Sequence, residues 1–127
     1  MRRHVEAGTR WGPVVGYSRA VRAGNAIHVG GTTGLAPDGT LAAGDMYAQA
    51  MQALRNIEAA LTELGAGMAD VVRTRMYVTD IARWEEVGRA HAAFFRDVRP
   101  AATMVQVTGL IDPAMLVEIE ADAILEP

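Results

Sequence analysis

Glu118, Glu120 and Asp122 stand two residues apart in a run of β-forming residues and form the densest group of chemically able side chains in the sequence. At that spacing all three leave a strand from one face. The same alternation groups Arg73, Arg75 and Tyr77, sets His28 with Gly30, and sets Met104 with Gln106. A carboxylate on such a face can orient or deprotonate water, an arginine can hold an anion, and a histidine can exchange a proton near neutral pH. Other chemistries are closed. The chain has no cysteine, and all twelve of its Lys-plus-Arg residues are arginine. That excludes thiolate nucleophiles, cysteine zinc sites, disulfides, Schiff-base lysines and Walker-type phosphate loops. His4, His28 and His91 show no paired metal-ligand spacing, so no metal site is expected. Gly30-Gly31-Thr32-Thr33-Gly34 has no lysine and opens no helix, which makes it a tight turn. Ser18 has no Asp–His partnership from which a triad could be inferred.

The elements that position these groups follow from periodicity. Tyr17–Arg22 and Asn25–Gly31 read as a hairpin about Ala23-Gly24, and Pro37-Asp38-Gly39 as a turn. From Asp45 the period becomes helical through Met46, Ala50, Leu54, Ile57 and Leu61, with Gly65 as C-cap. Val71–Thr79 alternates as a strand. A second helix follows Asp80 with the stripe Trp84, Val87, His91, Phe94 and Phe95, and Arg99-Pro100 ends it. Ala102–Thr108 and Leu116–Ile124 are two further strands around the loop 109–113. The order is ββαβαββ, with residues 1–13 as an N-terminal arm. One sheet face gathers Ile27, Val29, Val72, Thr74, Met76, Val78, Val105, Val107 and the apolar residues of 117–123. Two amphipathic helices suffice to cover it, which gives an α+β two-layer sandwich with both helices on one face. The other face, with His28, Gly30, Arg73, Arg75, Tyr77, Met104, Gln106 and the three carboxylates, has no helix left. It is either wet or covered by another subunit.

The 127 residues are half hydrophobic and 21% charged, an ordinary composition for one globular domain. The net charge is −3 with the signs interspersed. Neither a nucleic-acid stripe nor a polybasic anchor is present, and no apolar run approaches the ~18 residues of a membrane span. A soluble, cytoplasmic protein with no nucleic-acid or membrane partner is expected.

The stretch Arg99-Pro-Ala-Ala-Thr-Met-Val-Gln-Val107, followed by Leu116-Val-Glu-Ile-Glu120, resembles the signature of the Rid (YjgF-type) reactive-intermediate deaminase family. Gly16-Tyr17, Gly24-Asn25, Gly30-Gly31, Gln49 with Asn56, and Val78-Thr-Asp80 extend the similarity over roughly residues 14–124. The resemblance implies a chorismate-mutase-like subunit with a mixed sheet, assembled as a homotrimer whose sheets line a barrel. Three small-molecule clefts would then lie between subunits. It also implies hydrolysis of 2-imino and 2-enamino acids to 2-oxo acids and ammonia without any cofactor.

Within that resemblance Glu118, Tyr17 and the backbone N–H of Gly31 match the family's site, Glu118 as the residue that activates water and Tyr17 as a hydrogen-bond donor. Four positions depart. Ala102 stands where the family carries its carboxylate-binding arginine, Met104 where it carries a cysteine, Gly30 a serine and Gly88 an asparagine. Substrate contacts are therefore expected from Gly30, Gly31, Gly88, Ala102 and Met104, with His28 as a possible acid or base. Arg75 or Arg73 is the candidate replacement for the absent arginine. The enlarged site favours a ligand bulkier or less acidic than a small imino acid. The alternatives are a structural ion pair of Glu118 with Arg73 or Arg75, and a trimer that binds or regulates without catalysis. A holdase-like or nucleic-acid role is a third alternative, and the negative charge without basic stripes counts against nucleic acid.

Overall fold

A computed structural model describes residues 1–126. Six strands form one mixed sheet: β1 (Arg2–Glu6), β2 (Ser18–Ala23), β3 (Ala26–Thr33), β4 (Val71–Val78), β5 (Ala101–Gln106) and β6 (Val117–Ile124). Their spatial order is β1-β2-β3-β6-β4-β5. Only β4 and β5 run parallel, as the crossover through a helix between them requires. The helices are a short α1 (Trp11–Val15), α2 (Met46–Glu63) and α3 (Trp84–Phe95). Asp45 caps α2 by accepting the Ala48 N–H at 2.9 Å. Gly65 follows α2 at φ +86°, a left-handed conformation that stops the helix at low steric cost.

The two long helices pack together over the sheet face that carries Ile27, Val29, Thr74, Met76, Ile119 and Ala121, all buried. This is the predicted two-layer sandwich, with three differences. The first lies at the N-terminus, expected as an arm. Arg2–Glu6 pairs antiparallel with β2 as an edge strand, and Trp11–Val15 forms the short helix. His4 Nδ1 accordingly lies 2.9 Å from Ser18 Oγ across this pair.

The second and third differences are in strand phase. A register shift between Val71 and Arg73 places Val71 inward and leaves Val72 46% exposed, although simple alternation assigned Val72 to the core. On β5 the inward and outward sets are exchanged. Thr74 pairs with Ala102 and Met76 with Met104, so Ala102 and Met104 face the helices, while Val105 lies beside Tyr77 and is 43% exposed. A strand read one residue out of phase turns every side chain over. Gln106, also turned to the helix side, accepts the Ile81 N–H at 2.9 Å and fixes the 3-10 turn that enters α3. Trp84, expected on the buried stripe of α3, is exposed. His91 is on that stripe, with Nε2 2.8 Å from Thr74 Oγ1. Burial holds its pKa below the ordinary histidine value.

The opposite sheet face carries ions. Asp122 lies 2.8 Å from His28 Nδ1 and accepts from Arg75 Nη1 at 3.0 Å, while the Tyr77 hydroxyl donates to Glu120 at 2.5 Å. Arg73 Nε is buried with no partner among the described residues. Among those residues, no helix is long and apolar enough to cross a membrane.

Candidate active site

The chain enters β2 through a tight turn that sets Tyr17. Gly16 takes φ +84°, its N–H donates to Gly12 O at 2.7 Å, and the Tyr17 N–H reaches the same carbonyl at 3.2 Å. The Tyr17 hydroxyl lies 2.8 Å from Thr9 Oγ1. On β3 the register shifts between Val29 and Thr32, so Gly30 and Gly31 form a bulge. Glu118, on the neighbouring β6, lays its carboxyl group over that bulge. A Cβ at Gly31 would stand 2.8 Å from Glu118 Cδ and 3.0–3.1 Å from its two oxygens. Only glycine leaves the carboxyl group there.

These groups open into a cleft of about 450 Å³ lined by Tyr17, Gly31, Glu118, Arg19 and Trp11, with Leu110 and Ile111 supplying an apolar wall. A volume of that order accommodates a small metabolite. A neighbouring cavity of about 570 Å³ runs along α2 and shares Thr9, Trp11, Arg19 and Met115 with the cleft. The wall loop is held from below by Gln49, fully buried on α2. Its Nε2 donates to Ala42 O and Ala114 O, both at 3.0 Å, and its Oε1 accepts the Leu116 N–H at 2.8 Å. Asn56, two turns further along the same face of α2, donates to Thr33 O and Leu35 O and ties the end of β3 to α2.

Burial raises the Glu118 carboxyl above the ordinary glutamate range. Repulsion from Glu120 adds to this, and Arg19 opposes it. A carboxyl group displaced in that direction is a better base, and returns a proton more readily, near neutral pH. Glu118 has no ion pair with Arg73 or Arg75 among the described residues.

Of the residues expected to act together, Tyr17, Gly31 and Glu118 line one cleft. Gly30 lies at its bulge, where a Cβ would meet Arg19 O and Ser18 O at 3.6–3.7 Å, ordinary contact. His28 and Arg75 do not line it and belong to the Asp122 cluster. Ala102 and Met104, on the edge strand β5, and Gly88, packed near the Trp84 ring, also lie outside it within this chain. Sequence reading passed over Arg19 and Trp11. The one signal for Arg19 was its position two residues after Tyr17. Trp11 lay in the segment taken for an arm.

Gly31→Ala is expected to fold and to lose most of whatever activity depends on Glu118. The clash is with the far end of a flexible side chain, which swings away and leaves the site. Thermal denaturation within about 3 °C of wild type, together with a drop of roughly 100-fold in kcat/KM, is the expected pattern.

A family model described as Endoribonuclease L-PSP matches residues 8–125. The chain belongs to the YjgF/Rid family. Among solved structures, Rv2704 of Mycobacterium tuberculosis, described as a member of the YjgF/YER057c/UK114 family, is 53% identical. It superposes with a TM-score of 0.89, covering 98% of this chain and all of that one. An uncharacterised Streptomyces coelicolor protein is 38% identical over 95% of this chain and 90% of its own length. The human 2-iminobutanoate/2-iminopropanoate deaminase is 31% identical over 100% of this chain and 93% of that protein. The Rid-type sheet with its helices on one face is thus common to this chain and its relatives.

Proposed function

We propose that this Rid-family protein hydrolyses an imine or its enamine tautomer in a cleft completed by a second subunit of a homotrimer. The observation that carries the reading is the Glu118 carboxyl group. It is seated over the Gly31 bulge, half-buried and raised in pKa, in a cleft that also holds Tyr17. In the reaction, Glu118 takes a proton from water as the water oxygen bonds to the C=N carbon, and passes that proton to the nitrogen to give the carbinolamine. Glu118, ionised again, then takes the carbinolamine hydroxyl proton and delivers it to the nitrogen as the C–N bond breaks, so one water and one imine give one carbonyl and one ammonia. Tyr17 donates a hydrogen bond that positions the substrate, and the Gly31 N–H offers a second. The chain's own groups supply acid, base and donors, so no metal or cofactor enters.

The trimer is supported by the sheet face opposite the helices. It carries exposed Val72 and Val105 beside the ion pairs, an unpaired buried Arg73 Nε, and the open edge of β5. In such an assembly Ala102, Met104 and Gly88 would enter the cleft from the neighbouring subunit. Ala102 and Gly88 add room in place of polar side chains and Met104 adds apolar lining, which suits a bulkier substrate. Light scattering at micromolar concentration is expected to give three times the chain mass. A stable monomer would leave the cleft half-built and overturn the reading. The catalytic test is ammonia release from a panel of imines generated in situ. Acceleration by wild type that Glu118→Ala abolishes is expected. Ligand binding with no acceleration on any imine would instead make this a binding protein on the same scaffold.

A further inference from the structure

We propose that Arg19 is the specificity-determining residue of this cleft, receiving the acidic end of a substrate whose apolar body lies against Trp11, Leu110 and Ile111. The assignment rests on the reading above only in that both use the same cleft.

Arg19 occupies the junction of the two cavities and lines both. Its Nη2 donates to Ala7 O at 2.7 Å and its Nη1 to Thr32 Oγ1 at 3.2 Å. A guanidinium has five N–H donors in a rigid fork, so these two contacts leave three without a protein partner. The Arg19 Nε–H is not sealed away, because the buried unpaired side-chain nitrogen found among the described residues is on Arg73. The two contacts also fix the plane and aim of the fork, since both acceptors belong to the wall that carries the Gly30-Gly31 bulge and the entry to α1. A pre-aimed planar fork is suited to a carboxylate, which it can meet with two parallel bonds.

The charge balance points the same way. Glu118 is the facing carboxyl group, and the two groups influence each other's ionisation, yet they form no ion pair. A half-buried cation with no ion pair among the described residues is incompletely compensated, and a bound anion supplies the missing charge. Arg75, the sequence-level candidate for this role, is already neutralised by Asp122 and lines neither cavity. The cleft thus has a cation on one side, a basic carboxyl group on the other and an apolar wall between them. A monocarboxylate with a planar or aromatic group, its reactive carbon next to the acid, fits that order. Of the two properties expected of the ligand from sequence, bulk is retained and low acidity is not.

The experiment measures binding, and so does not depend on turnover. Phenylpyruvate and its methyl ester are titrated calorimetrically into the full-length wild type, Arg19→Gln and Arg19→Lys. Wild type is expected to prefer the acid to the ester by about 30-fold, the scale of a charge-assisted pair. Arg19→Gln is expected to abolish that preference with ester affinity unchanged, and Arg19→Lys to keep roughly a third to a tenth of it. Equal affinity of wild type for acid and ester overturns the proposal, as does an acid preference that survives in both variants. Parallel loss of acid and ester binding in both variants also overturns it, because Arg19 would then only brace residues 7–9. If Arg19→Gln does not fold, Arg19→Lys decides alone, by losing acid affinity selectively or not. A protein that keeps the Arg19-dependent acid preference but hydrolyses no imine would sustain this assignment and defeat the hydrolytic one.

Discussion

Glu118→Gln is expected to lower kcat/KM for imine hydrolysis by about 100- to 10,000-fold, the range associated with a positioned general acid–base group. The amide keeps the shape of the side chain over Gly31 but can neither accept nor return a proton. In wild type the rate should fall on acidification, with its midpoint above that of an ordinary glutamate, because burial disfavours the ionised form. The residual activity of Glu118→Gln should lack that limb. Stability should move the other way. The folded protein holds this proton more tightly than the unfolded chain, so the stability linked to the group is complete below the ordinary glutamate value. It is lost as pH rises through the raised folded value. At neutral pH Glu118→Gln is therefore expected to melt about 1–3 °C higher than wild type, and below the ordinary glutamate value to melt with it. A variant equally active across pH, or less stable at neutral pH, would remove Glu118 from the role assigned to it.

Gln49→Leu carries the largest expected cost in stability, about 3–5 kcal/mol by chemical denaturation. The leucine fits the volume but strands the carbonyls of Ala42 and Ala114 and the N–H of Leu116, each worth about 1–3 kcal/mol when buried without a partner. Gln49→Glu is the informative companion. It can still accept from Leu116 but cannot donate to both carbonyls, so it should recover part of the loss at acid pH and little at neutral pH. A loss below about 1 kcal/mol for Gln49→Leu would mean that water reaches these groups. Because Leu116 precedes the strand that carries Glu118, the same substitution should also loosen the cleft wall at Leu110 and Ile111.

The long periodic segments were legible because burial enforces their period. Met46, Ala50, Leu54, Ile57 and Leu61 must share a face if α2 is to cover the sheet, and they do. Glu118, Tyr17 and Gly31 were legible through resemblance, and folding brings the three into one cleft. Strand β5 was misread because an edge strand exposes both its faces to some degree. Its side chains Ala101 to Thr103 carry no alternation from which phase could be taken. The bulge at Val72 was hidden for a related reason: two adjacent valines can each serve as the inward residue, and only the partner strand chooses. The role of Arg2–Glu6 was invisible because RRHVE is charged at four of its five positions, counting histidine, a composition that protects an edge strand but also mimics a tail. Arg19 was overlooked because its importance lies in what it does not pair with, and sequence spacing cannot express that.

The placement of β6 has a kinetic consequence. It is made after every other strand, yet it lies in the middle of the sheet, between β3 and β4. As the chain emerges from the ribosome, the β1-β2-β3 meander and the β4-α3-β5 crossover can each form from local contacts, but no strand pairing joins them and only the packing of α2 on α3 links the two. Insertion of β6 joins the two halves through pairings that span most of the chain, a step that loop-closure entropy makes slow. The same insertion delivers Glu118 to the Gly31 bulge. Assembly of the sheet and completion of the candidate site are therefore one event, and partly folded chains hold the two half-sheets with Glu118 away from the Gly31 bulge.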